Sequence, residues 1–340
     1  MQKWLKRIGL TVLVLLIVGT LAGTLYEQVA RRRSKADFPP PGRLVDIGGR
    51  RLHLDCRGSG SPIVVLEAGL DMNGSLSWAP VHDSIALTTR ACAYSRAGIM
   101  WSDDKPGPHD ASTIAADLDA ALTVAGEAPP FVMVGHSLGG PYIMAYTKRF
   151  PDKVAGLVFV DASHPDQVTR IAKAVGKEMD SPLGGAKALA AFAWAGLPRL
   201  LLPAEDSPAV PEPTRRAAAA YAPTSLGPML AESDGMDETM ADAGAFRTLG
   251  DRPVVVLTAM KAIDSATLAT IGMSPEQGQK LQAEWLILHN EEASWSSVSE
   301  HQVLPDATHY IQRDRPDVVI AAVRHVVTRL RQPADSSSRP

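Results

Sequence analysis

The chain has 340 residues, 45% hydrophobic and 21% charged, with a formal net charge of −3. That length and apolar content suit one large α/β domain, or two ordinary ones, with a sizeable buried core. The near-neutral charge gives no footing for nucleic acid as a partner.

At the N-terminus Lys3, Lys6 and Arg7 precede residues 8–25, which carry no charge. This run is at the lower edge of the roughly 20 residues that cross a bilayer. It exceeds the apolar region of a cleaved signal, about 7–15 residues, and no good A-x-A site follows, Gln28-Val29-Ala30 being a poor match. Residues 1–26 are therefore read as an uncleaved signal-anchor, in preference to a cleaved signal. Arg31, Arg32, Arg33 and Lys35 beyond the run nearly cancel the positive-inside bias. Residues 27–42, basic and then Pro-rich (Phe38-Pro39-Pro40-Pro41-Gly42), read as a semi-stiff linker.

Residues 43–47 and 51–56 alternate polar and apolar around Gly48-Gly49, a hairpin pattern. Next come a strand at 63–66, a helix at 76–87, a strand at 90–94 and a helix at 111–125. An apolar strand pattern at 131–134 leads into apolar residues at helical spacing from Leu138, up to Phe150, and a strand at 154–160 follows. Cys56 and Cys92 lie in two of these strands. They suit a disulfide in an exported domain, thiols in the cytosol, or two small buried hydrophobes. Over residues 162–250 the alternation stops, and an Ala-, Pro- and Met-rich segment with helical fragments such as 185–194 reads as an inserted cap. Its apolar stretch 188–202, with Trp194, Leu197, Leu200, Leu201 and Leu202, suits either a cover for an acyl pocket or packing onto the main domain. Strands at 253–258 and 301–304 and helices at 275–289 and 316–330 complete the pattern, ahead of a polar tail at 332–340 expected to fray. Strands alternating with helices imply a largely parallel sheet.

Gly135-His136-Ser137-Leu138-Gly139 stands in the strand-to-helix turn and fits G-x-S-x-G, the nucleophile elbow. A serine hydroxyl needs a histidine to take its proton, an acid to orient that histidine, and backbone N–H donors for the developing oxyanion. His309, in Asp306-Ala307-Thr308-His309-Tyr310, follows the last strand and is the candidate base, because loops beyond the strand C-termini share the elbow's face. His136 is expected to point away in so tight a turn, and His164 is placed to line the pocket. The nine histidines are scattered, with no HExxH or CxxC spacing, no G-x-G-x-x-G after a strand and no P-loop. Neither a metal nor another cofactor is expected.

With Leu66-Glu67-Ala68-Gly69-Leu70, Tyr94-Ser95-Arg96-Ala97-Gly98, Phe150-Pro151 and Arg315-Pro316 in this order, most of the soluble part resembles the α/β-hydrolase superfamily. The resemblance implies an α/β-hydrolase fold. Its mostly parallel eight-stranded sheet would have helices on both faces and a helical cap after the sixth strand, dividing the core into 43–161 and 251–331. It sets the second strand beside the fourth, making Cys56 and Cys92 neighbours, and so implies a disulfide and an extracytoplasmic domain. It also implies oxyanion donors at the N–H groups of Leu70 and Leu138; Trp78 and Trp101 are expected to pack around that loop.

Two departures stand out. Many members have an aspartate where this chain has Ser95. After the penultimate strand, where members usually place the acid, the chain reads Thr258-Ala259-Met260-Lys261-Ala262-Ile263-Asp264. The superfamily's other acid position, the end of the strand after the elbow helix, holds Asp161. Asp161 is the expected acid and Asp264 the alternative, although an aspartate at a strand end often only caps a turn. Serine at the elbow argues against the epoxide-hydrolase and haloalkane-dehalogenase relatives, whose nucleophile is an aspartate. The expectation is a membrane-anchored serine hydrolase acting on a small-molecule carboxylic ester through an acyl-enzyme. Its rivals are a cofactor-free haloperoxidase or C–C bond hydrolase on the same residues, and a non-catalytic hydrolase-like receptor.

Overall fold

A computed structural model describes residues 2–178, 183–203 and 207–332. The expected tail, 332–340, lies outside the described residues beyond Gln332. The strands are β1 (Arg43–Asp46), β2 (Arg51–Arg57), β3 (Ile63–Glu67), β4 (Ala91–Ser95), β5 (Phe131–His136), β6 (Val154–Val160), β7 (Val254–Ala259) and β8 (Ser299–Leu304). They form one eight-stranded sheet in the order β1-β2-β4-β3-β5-β6-β7-β8. β2 runs antiparallel to β1 and β4, and β3 to β8 run parallel. β3, β4 and β5 are buried along their whole length, as strands covered on both faces must be. Cys56 and Cys92 are register partners on β2 and β4 and form a disulfide.

The helices are α1 (Gln2–Asp37), α2 (His82–Ala86), α3 (Ala111–Ala125), α4 (Gly139–Arg149), α5 (Gln167–Val175), α6 (Gly184–Ala191), α7 (Leu197–Leu201), α8 (Glu212–Asp234), α9 (Met236–Gly244), α10 (Ser265–Thr270), α11 (Pro275–Ser294), α12 (Ile311–Asp314) and α13 (Pro316–Arg331). One apolar core unites Leu118 and Leu122 of α3 and Ile143 of α4 with Met133 and Phe159 of the sheet. On the other face, Ile85 of α2 and Val319 and Val323 of α13 pack on Val132, Val134 and Val158. Helices thus cover both faces, and α5 to α9 lie between the sixth and seventh strands as the helical cap. Local signals fix the ends: Asp110 caps α3 by accepting from Thr113 N–H, and Ser274 and Gln277 form a capping box on α11.

Four readings need correction. The helix expected at 76–87 is a 3-10 turn (Gly74–Trp78) followed by the short α2, with Pro80 between them unable to continue a helix. The linker assigned to 27–42 is helical as far as Asp37. Residues 27–37 are good helix formers, and only the prolines from Pro39 stop α1. β8 starts at Ser299, because an exposed edge strand can be polar on most of its length. The stretch 188–202 is not packed onto the main domain: Phe192, Trp194, Leu200 and Leu201 are exposed.

Candidate active site

Ser137 stands between β5 and α4 with φ +52°, a left-handed conformation that costs a non-glycine residue energy and tends to occur at functional positions. The turn closes only because its neighbours lack a Cβ: one at Gly135 would lie 2.5 Å from Gly139 O. β5 and β6 are parallel with His136 opposite Val160, so Ser137 and Asp161 leave adjacent strands at the same level. Asp161 also has positive φ, +44°.

Asp161 is almost fully buried, and its two oxygens divide the work. Oδ1 accepts from Ala259 N–H (2.8 Å) and Trp285 Nε1–H (3.0 Å), while Oδ2 meets His309 Nδ1 at 2.7 Å. Burial pushes this carboxyl up, but the hydrogen bonds from His309 and Trp285 and the nearby imidazoles outweigh it, and its pKa lies below the usual range. With Nδ1 committed to Asp161, His309 keeps Nε2 available as a proton acceptor. Its side chain is 42% exposed, against 4% for Asp161.

Asp264 is not part of this arrangement. It caps α10, accepting from Ala266 N–H, Thr267 N–H and the Thr267 hydroxyl, and is exposed. His136 lies under the site: Nε2 donates to His309 O (2.9 Å) and its ring centre is 4.7 Å from that of His309. Burial, then the neighbouring His309, hold its pKa down to about 3. His164 packs on Trp295 at the base of the cap, with Nδ1 accepting from Asp166 N–H. Its Nε2, Asp166 and Glu291 come close together. Arg247 and Arg170 already occupy those two carboxylates, and His164 Nε2 must carry the proton that Nδ1 lacks, so the donor set does not suit a cation.

The loop after β3 covers the elbow so closely that a Cβ on Gly69 would lie 2.9 Å from the Ser137 Cβ. Arg96, fully buried, fixes that loop. Its guanidinium donates to Ala68 O (2.8 Å), Gly69 O (2.6 Å) and Glu67 (2.8 Å), and bidentately to Glu232 of α8 (2.7 Å each). In a trans peptide the C=O and N–H point in opposite directions. With Gly69 O held by Arg96, the Leu70 N–H faces away from the guanidinium. Leu138 N–H opens α4 directly after Ser137. Asp71 braces the same loop by accepting from Asn73 N–H, Gly74 N–H and the Ser77 hydroxyl.

Trp78 packs edge-on to His136. Trp101 lies elsewhere, against His53 and Tyr221, with Nε1 donating to Phe38 O, because the chain after β4 turns toward the cap. At the departure noted for Ser95, its hydroxyl contacts His53 Nδ1 (3.2 Å) and accepts from Ser75 N–H (3.3 Å) in a buried polar cluster. Sequence reasoning missed Glu232, Trp285 and the structural part played by His136. Arg96 lay within a quoted motif, but nothing in the sequence tied it to a helix of the cap.

Against this geometry, a family model described as alpha/beta hydrolase fold matches residues 61–316. An uncharacterised protein of Mycobacterium tuberculosis is 30% identical over 230 residues, 66% of this chain and 63% of that protein. The chain spans between 18% and 51% of the length of the first curated relatives it matches. Among solved structures, a thermophilic esterase from Thermogutta terrifontis matches with a TM-score of 0.56 at 19% identity, over 86% of this chain and 99% of that one. An enol-lactonase from Burkholderia xenovorans matches with a TM-score of 0.56 at 20% identity, over 84% of this chain and 100% of that one. An epoxide hydrolase from Bacillus megaterium matches with a TM-score of 0.60 at 15% identity, over 84% of this chain and 100% of that one. At these identities the likeness is one of fold.

Proposed function

The chain belongs to the alpha/beta hydrolase family, and from that premise we propose that it is a serine hydrolase cleaving carboxylic esters with Ser137, His309 and Asp161. The observation that carries the reading is the buried Asp161 carboxylate held 2.7 Å from His309 Nδ1, one strand over from a serine in a left-handed elbow. His309 Nε2 takes the Ser137 proton as Oγ attacks the ester carbonyl. The N–H groups of Leu70 and Leu138 receive the oxyanion, and Arg96 holds the first of them in place. The alkoxide leaves with the proton from His309, and a water deprotonated by the same nitrogen then releases the acid and restores Ser137.

Serine at the elbow sets the chemistry apart from an aspartate-based epoxide hydrolase. The fold neighbours that are named an esterase and a lactonase, a lactone being a cyclic ester, agree with it. The N-terminal apolar helix, long enough to cross a membrane and with its apolar window unburied, is read as an anchor. The Cys56–Cys92 disulfide supports a catalytic domain in an oxidising compartment.

Hydrolysis of p-nitrophenyl esters of graded acyl length, in variants of each acid, tests the assignment. Asp161→Asn should lower kcat by about 10⁴-fold, the order seen when a triad loses its aspartate, and Asp264→Asn should leave kcat unchanged. Full activity in Asp161→Asn, or loss in Asp264→Asn, overturns it.

A further inference from the structure

The apolar segment at the edge of the cap faces outward. Phe192, Trp194, Leu197, Leu200 and Leu201 are all exposed, Leu200 by 66% and Leu201 by 64%. Neighbouring large apolar side chains left open in this way mark a surface that meets a partner.

The position of the segment says which partner. The 3-10 turn Ala193–Ala195 and Gly196 lie directly against α1. An added Cβ on Gly23 would sit 2.5 Å from Ala195 O, and one on Gly196 would sit 3.2 Å from the Tyr26 ring. Arg31 reaches Ala193 O, and Arg199 of α7 pairs at 2.8 Å with Glu27, which is buried. The segment is thus fixed to α1 between Gly23 and Arg31, beside the final turn of the uncharged run 8–25. At about 1.5 Å per residue that run is about 27 Å long, and a hydrocarbon core is about 30 Å thick. A helix with so little length to spare must use it to the end, which sets Gly23 at the hydrocarbon boundary, Ala195 at the same depth, and the rest of the segment beside residues 26–31 in the interfacial layer just beyond. Of the nearest charges, Glu27 takes both Arg199 and Arg31, so this group sums to a single positive charge.

We propose that residues 192–201 form a lip of the cap immersed in the membrane leaflet beside the catalytic domain, with Phe192, Trp194, Leu200 and Leu201 in contact with lipid. The inference rests on the reading of α1 as a membrane-spanning anchor. The lip gives the domain a second hold on the bilayer and fixes the cap's orientation to it. Trp194 is the residue type that favours such a boundary.

The test uses the full chain in phosphatidylcholine nanodiscs. Both native cysteines are in the disulfide, so one introduced cysteine carries one nitroxide label. Labels are placed at Leu200→Cys, at Leu15→Cys in the middle of the apolar run, and at Leu87→Cys. Leu87 is 90% exposed and lies just before β4, at the opposite end of the sheet from Ser137. Relaxation by oxygen, which concentrates in lipid, is compared with relaxation by a water-soluble nickel chelate. The expected result is oxygen-dominated relaxation at Leu200→Cys and Leu15→Cys and nickel-dominated relaxation at Leu87→Cys. Nickel access at Leu200→Cys equal to that at Leu87→Cys, with Leu15→Cys shielded, overturns the lip and leaves the anchor standing. Nickel access at Leu15→Cys overturns the anchor and the lip with it.

Discussion

His136 connects the buried side of the site to stability. Folded, burial and the neighbouring His309 hold its pKa near 3, whereas the ordinary imidazole value is 6.5. Between those values the unfolded chain binds the proton and the folded chain does not. Its contribution to stability is therefore complete above the ordinary value and is lost as pH falls toward the folded one, a loss on the order of a few kcal/mol. His164, held down to about 4 by burial, acts in the same direction. Urea unfolding followed from about pH 7 to about pH 4.5 should show the wild type losing stability relative to His136→Gln, which keeps a donor for His309 O. Equal slopes in the two proteins contradict the buried neutral imidazole. At this scale the sequence brought out Ser137, His309 and Asp161 as candidates, because an elbow and strand ends announce themselves locally. It did not show the contacts of His136 and Trp285, which come from the packing of the last loop and α11.

Between elements, the contact that matters most runs from α8 of the cap to the loop over Ser137. Arg96 donates to both oxygens of Glu232 and to the Ala68 and Gly69 carbonyls. Glu232→Gln weakens that grip while preserving shape. Losing a single oxyanion donor costs about 10²–10³ in kcat, so a loosened one should cost up to about 10²-fold with KM little changed. Ester kinetics beside a thermal melt separate this from unfolding, and a raised KM at unchanged kcat contradicts it. The link was invisible in the sequence for two reasons. Glu232 is 136 residues from Arg96, and Pro223 and Pro228 interrupt what is nonetheless one continuous helix, α8. The central strands, in contrast, were legible because full burial writes unbroken apolar runs.

At the scale of the whole molecule, α1 is both a candidate anchor and part of the folded domain. Beyond its apolar run it carries Glu27, paired with Arg199, and Ser34, whose hydroxyl donates to Ala220 O of α8. Removing residues 1–26 leaves these contacts in place, whereas removing 1–37 leaves Arg199 without its carboxylate. The shorter chain should be less stable by about 1–3 kcal/mol, read as a lower melting temperature; identical melts contradict a structural part for residues 27–37. The basic composition of this stretch suggested a linker, because a sequence shows charge but not the cap surface that pairs with it.

The most direct test of Ser137 as an activated nucleophile is labelling of the full chain with a fluorophosphonate, followed by intact mass. One adduct per chain, mapped to Ser137 and absent from Ser137→Ala, is the expected result. A folded chain that takes no label, or takes it equally in Ser137→Ala, contradicts the serine-hydrolase assignment.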